Sequence, residues 1–190
     1  MNKRAAVIAT MIMVLTTGFV FADGAGGAFW GSQQLSYPGL SAEDSPFSST
    51  GEKLNYVGGM GFGINSDNHV VGGFGVGFSQ ARNSDDTVSG GFGGLITGRR
   101  LVRRPINLMA MLYAGVGGME LSNSEDSRLR NGAFAVMGEL TLEASIPILF
   151  FHPTFYVGYQ VISSVGDGGI GDAYLSYAPT VGFRMLFGGL

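Results

Sequence analysis

The sequence predicts an all-β protein, an eight-stranded antiparallel up-and-down transmembrane β-barrel preceded by a cleavable signal peptide. Three observations predict it. Only 13% of the 190 residues are charged, against about a quarter in ordinary soluble domains. From Gly27 onward the apolar residues fall in stretches of period two, such as Leu54-Asn55-Tyr56-Val57-Gly58-Gly59-Met60-Gly61-Phe62-Gly63-Ile64. Alternation of this kind gives a strand two unlike faces. The face that would carry Lys, Glu, Asp and Arg in a soluble sheet carries Gly, Ser and Asn instead. Finally, long and short connections tend to alternate, as they do when one barrel end has tight turns and the other has surface loops.

Residues 1–22 come first. Lys3 and Arg4 precede an apolar run from Ala5 to Phe21, with small residues at Val20 and Ala22. That is the layout of a secretory signal cleaved after Ala22. The run is diluted by Thr10, Thr16, Thr17 and Gly18, and it falls short of the ~20 apolar residues of a transmembrane helix. The remainder, 23–190, reads as one domain.

Eight strands follow, at about 28–37, 54–65, 70–80, 88–99, 106–120, 132–146, 150–164 and 173–187. Several exceed the ~5–6 residues usual in soluble sheets and match the ~9–11 of a tilted membrane-crossing strand. The first holds Phe29 and Trp30; Trp30 suits an interfacial anchor. The third and fourth repeat one another, Val70-Val71-Gly72-Gly73-Phe74-Gly75 against Val88-Ser89-Gly90-Gly91-Phe92-Gly93, with Val57 to Phe62 a looser copy. Repetition of hairpins is common in barrels. The fifth is apolar on both faces over Leu108–Ala114, so its inward side stays open. Between strands lie a long segment at 38–53, the turn Ser66–His69, a polar loop at 81–87, the basic Arg100–Pro105, a loop at 121–131, the short Pro147–Leu149 and a glycine-rich loop at 165–172. An even strand number puts both termini on the short-turn side.

Parity then predicts the faces, with bulky residues sent to lipid. Leu54, Tyr56, Met60, Phe62, Ile64, Phe74, Val76, Phe78, Phe92, Phe134, Val136, Leu140, Leu142, Phe155, Val157, Tyr159, Tyr177, Val181, Phe183, Met185 and Phe187 are expected outside. Asn55, Gly59, Gly61, Gly63, Gly73, Gly75, Gly77, Gly91, Gly93, Glu139, Thr141, Glu143, Thr154, Tyr156, Gln160, Ser176, Thr180 and Arg184 are expected inside. Eight strands enclose a space that side chains just fill. The glycines would then make room for Tyr156, Gln160, Arg184 and Tyr113, with a narrow aqueous or ligand-holding lumen as the alternative. Glu139, Glu143 and Arg184 should form a charged cluster near the short-turn end, with Arg99 and His152 as neighbours, because ionisable groups are costly against lipid. The competing reading has Arg184 extending to the membrane interface.

Little points to catalysis. The repeated glycines lack the Gly-Lys-Ser/Thr of a phosphate loop, and His69 and His152 lack the paired spacing of a metal site. His152 with Glu143, Ser145 and Ser163 is the one imaginable nucleophile group, without a local motif to support it. His69 reads as a solvated turn residue. No cofactor is expected. The formal charge of −3, or −5 once Lys3 and Arg4 are set aside, gives no reason to expect nucleic acid. Arg99, Arg100, Arg103 and Arg104 suit contact with solvent or anionic headgroups. There is no Cys, hence neither a disulfide nor a lipid-attachment cysteine.

Across essentially all of 23–190 the pattern resembles the small eight-stranded bacterial outer-membrane β-barrels. Its most specific part is the run Tyr177–Phe187. Thr180, Gly182, Met185 and Phe187 are similar to the terminal-strand signal read by the outer-membrane assembly machinery, although this chain continues through Gly188-Gly189-Leu190. The resemblance implies export to the outer membrane of a Gram-negative-type bacterium, with outer-membrane lipid and the assembly machinery as partners. The expected role is structural, surface-interacting or that of a narrow pore. A surface ligand would meet loops 38–53, 81–87, 121–131 and 165–172, since loops carry recognition on a rigid scaffold. The alternatives are a barrel that binds or transports a small or hydrophobic molecule, a secreted lipocalin-like carrier and, last, an outer-membrane enzyme.

Overall fold

A computed structural model describes residues 23–34, 53–81, 86–123, 130–165 and 175–190. Eight strands follow one another around a closed barrel. They are β1 (Gly24–Gln34), β2 (Lys53–Ile64), β3 (His69–Ala81), β4 (Asp86–Val102), β5 (Asn107–Asn123), β6 (Arg130–Ser145), β7 (Phe151–Val165) and β8 (Leu175–Gly189). Every neighbouring pair is antiparallel, and β1 closes on β8 from Gly24↔Gly189 to Gln33↔Thr180. Closure leaves no unpaired strand edge. The segment 1–22 and most of the loops at 38–53, 81–87, 121–131 and 165–172 lie outside the described residues, as do the side chains of Leu54 and Ser176.

The end formed by residues 65–68, 103–106 and 146–150 is built from short connections, and is called the turn end below. The first of these turns is explained by its own residues. Asn65 Oδ1 accepts from the backbone N–H of Asp67 and of His69 at 3.0 and 2.9 Å, and Asn68 takes a positive φ of 64°. Asn does both at small cost. His69 is exposed at the start of β3. β4 runs further than its alternation suggests, through the basic run to Val102, with its pairing to β5 slipping between Arg100 and Val102. Such a bulge re-aims the residues beside it.

The facing of β6–β8 follows parity. Phe134, Leu140, Phe155, Val157, Val181 and Phe187 are exposed on the outer wall, while Glu139, Thr141, Glu143, Thr154, Tyr156, Gln160, Thr180 and Arg184 are buried inside. The facing expected for β2–β4 is inverted. Tyr56, Met60, Phe62, Ile64, Phe74, Phe78 and Phe92 are all buried in the interior, with Val76 packed against them. Asn55, Gly59, Gly61, Gly63, Gly73, Gly75, Gly77, Gly91 and Gly93 take the outward parity, beside exposed Val57, Val71 and Leu95. The inward face of β5 is Met109, Met111 and Tyr113.

Two physical facts produce the inversion. A glycine whose N–H and C=O are both in the ladder presents only a methylene outward, so it exposes no unsatisfied polar group. The interior must also be filled to crystal-like density, and the inward Thr, Glu and Gln of β6–β8 leave most of that volume to the opposite wall. The barrel is therefore lined by an apolar, ring-rich wall on β1–β5 facing a polar wall on β6–β8. The glycines that make room are those pointing inward. A Cβ on Gly182 or Gly31 would collide with the Tyr156 hydroxyl, and one on Gly58 would lie 2.6 Å from the Phe29 ring.

Candidate functional site

The interior polar wall converges on Arg184, which is 1% exposed, and Glu143, which is fully buried. Alternation on β6 and β8 turns both inward. Arg184 Nη1 lies 3.2 Å from Glu143 Oε1. The same carboxylate oxygen accepts from the Tyr113 hydroxyl at 2.7 Å and from Thr141 Oγ1 at 2.8 Å, and Arg184 Nη1 also donates to the Tyr113 hydroxyl. The guanidinium carbon sits 4.1 Å from the centroid of the Tyr156 ring, 4.7 Å from that of Tyr113 and 5.2 Å from that of Phe29. Three ring faces thus supply the electron-rich surroundings that water would otherwise provide. The arrangement holds a desolvated cation by one carboxylate and by π-faces drawn from β1, β5 and β7.

Glu139 stands beside this pair and accepts from Thr180 Oγ1 at 2.6 Å, with Gln160 opposite it across the ladder. Tyr56 and Tyr156 share a 2.7 Å hydroxyl contact over Gly31 and Gly182. Above them, towards the long-connection end, Phe78 and Phe92 stack at 6.2 Å over a cavity of about 20 Å³. Space of that size holds about one water. Among the described residues, side chains fill the interior at the level of the ion pair.

Of the five residues assigned to the cluster, the structure brings together Glu139, Glu143 and Arg184. His152 is buried near the turn end, but its Nε2 contacts the Gly188 carbonyl at 3.0 Å and its Nδ1 meets no partner. Arg99 is a correction: it is exposed on the outer wall, opposite His69. Its neighbour Arg100 points inward instead, since it shares parity with Phe92 and Ile96. Arg100 Nη2 pairs with Asp23 Oδ2 at 3.1 Å, its Nε donates to Asn68 Oδ1 at 3.0 Å, and Arg103 reaches the same Asp23 oxygen at 3.4 Å. Sequence reasoning missed this network. The parity of Phe92 would have revealed it, had that ring been turned inward. Ser145 bonds Thr154 at 2.7 Å rather than His152, so these side chains form no nucleophile–base contact.

No model of a known protein family matches the chain, and no curated protein matches it in sequence. Among solved structures, it is similar to Ail, the attachment invasion locus protein of Yersinia pestis. The TM-score is 0.50 at 13% identity, over 87% of this chain and 99% of that one. Ail is an eight-stranded outer-membrane barrel. This chain has the fold of these small barrels. At that identity the likeness to Ail is one of architecture, and the residues of the interior are this chain's own.

The residues matched to a terminal assembly signal all have places in that architecture. Thr180 holds Glu139, and Gly182 lies under the Tyr156 ring. Met185 and Phe187 are 38% and 43% exposed on the outer wall, Phe187 beside the Phe151 ring at 5.4 Å. Gly188 extends the strand, its N–H donating to the Phe150 carbonyl at 2.9 Å.

Proposed function

We propose that this is a small, non-catalytic outer-membrane β-barrel with a structural or surface-interaction role, exported behind a signal peptide that is cleaved after Ala22. One observation carries the reading: the outer wall is apolar where that of a soluble barrel would be charged. Leu95, Val71, Val57, Leu140 and Phe155 are 73%, 66%, 62%, 60% and 60% exposed, while Arg184, Glu143 and Glu139 are enclosed. Lipid is the solvent that suits such a wall. Stacked aromatic pairs at two levels of the outer face, Phe150–Phe187 near the turn end and Tyr159–Tyr177 further up, fit the girdles that mark the two interfaces of a membrane barrel. The interior, filled at the level of the ion pair, supports a plugged barrel over a pore, and leaves recognition to the long connections. The name of Ail, a protein of attachment and invasion, supports surface interaction as the role.

The test is electrophoretic. Residues 23–190 folded in detergent should migrate differently before and after boiling, and should sediment with bilayers. A chain that stays monodisperse in detergent-free buffer would instead be the soluble carrier.

A further inference from the structure

At the turn end an apolar groove on the outer wall adjoins a polar hollow in the barrel mouth. The groove, about 510 Å³, has Gly26, Gly61 and Gly63 as its floor and Val71 and His69 on its rim. The hollow, about 550 Å³, is lined by Asp23, Asn65, Asn68, Arg100 and Arg103. Ile64 and Asn65 line both, so the two spaces are neighbours. We propose that together they form a binding site for an anionic glycerophospholipid, with an acyl chain along the groove and the phosphate in the hollow. This rests on the membrane reading given above.

Charge complementarity and the unused donors select that occupant. The Arg100 side chain is 3% exposed; its Nη2 and Nε are engaged by Asp23 and Asn68, yet its Nη1 meets no hydrogen-bond partner. A buried guanidinium N–H without an acceptor is costly, and a phosphate oxygen supplies a charge-assisted one. Arg103, at 60% exposed, shares Asp23 and has further donors to give. Asn65 uses its Oδ1 in the turn, which leaves its amide NH2. In the lining of the hollow, two guanidiniums, Arg100 and Arg103, share the single carboxylate of Asp23. The groove supplies the other half of the recognition. It exists because side chains are missing along the outer wall, yet a Cβ on Gly61 would meet nothing within 4 Å. The barrel's own packing does not require that glycine.

The test uses residues 23–190 folded in detergent, with a heat-dependent mobility shift verified before any lipid is added. Dioleoyl phosphatidylglycerol and dioleoyl phosphatidylcholine are then titrated and retained adducts counted by native mass spectrometry. Both lipids offer a phosphate oxygen to Arg100, but only phosphatidylglycerol keeps a net negative charge, with no choline cation to repel Arg100 and Arg103; it should be held about tenfold more tightly. Arg103→Gln should remove most of that preference. Gly61→Leu should weaken retention of both lipids by filling the groove, whereas Gly75→Leu, on the same wall but away from the groove, should leave it unchanged. Equal retention of the two lipids overturns the site, as does an unchanged affinity in Gly61→Leu, or competition by glycerol 3-phosphate as strong as by the intact lipid. A chain without the mobility shift refutes the membrane reading and this site with it; a shifted barrel with equal retention refutes the site alone.

Discussion

Arg184 shows how a single residue can be both a liability and a constraint. Its charge is buried at 1% exposure with Glu143 at 3.2 Å. Such a pair is weak evidence for net stability, because desolvation offsets much of the attraction. Removing one partner is another matter, since the other is left charged and buried. Glu143→Gln and Arg184→Gln should each cost about 3–5 kcal/mol in denaturant unfolding from micelles. The double variant should cost less than their sum by about 1–3 kcal/mol, because neither member of the pair is then left charged without the other. Additive and small effects would show the pair to be energetically idle, with the three rings alone holding the guanidinium.

Among the strands, glycine has two opposite jobs. Inward glycines are required. A Cβ on Gly117 would collide with the Gly91 carbonyl, and one on Gly115 would lie 2.9 Å from the Phe74 ring. On the outer wall, Gly75 has nothing within 4 Å of where its Cβ would be. Gly75→Ala should therefore raise the unfolding free energy by about 0.4–1 kcal/mol through reduced freedom of the unfolded chain. Gly117→Ala should lower it by more than that. Chemical denaturation of both variants in one detergent reads the sign directly, and two effects of equal sign would contradict this division. The same distinction explains what could be read from the sequence. Strand number, order and the inward set Glu139, Glu143, Thr154, Tyr156 and Arg184 were legible, because on β6–β8 the polar residues declare the inner face. On β2–β4 the charged residues before Arg99 and Arg100 are only Lys53 and Asp86 at the strand starts, so along the strands bulk was the only guide. Bulk is ambiguous when an apolar interior and an apolar surrounding both accept it. Arg99 was misplaced for that reason, and Arg100 overlooked.

At the scale of the whole molecule, the ladder begins where the proposed export signal ends. Asp23 stands immediately before β1, its carbonyl accepting from Ile64 N at 2.9 Å and its carboxylate meeting Arg100 and Arg103. Cleavage after Ala22 would make this ion-paired residue the first of the mature chain. The intact mass of protein recovered from membranes of an expressing bacterium should correspond to a chain starting at Asp23, and a mass that retains Met1 would overturn cleavage. Closure of the barrel has a kinetic meaning as well. Arg184, on the last strand, depends on Met60 Sδ at 3.0 Å, 124 positions away, and on the Phe29 ring of the first strand. None of these contacts can form before the two ends of the chain meet. Bringing such distant partners together demands a large loss of chain entropy before any reward. Glu143, Tyr113 and Tyr156 can gather around the guanidinium in an open sheet, but its enclosure is completed only as the seam zips. Closure of the seam therefore also finishes burying the charge of Arg184 at the centre of the barrel wall.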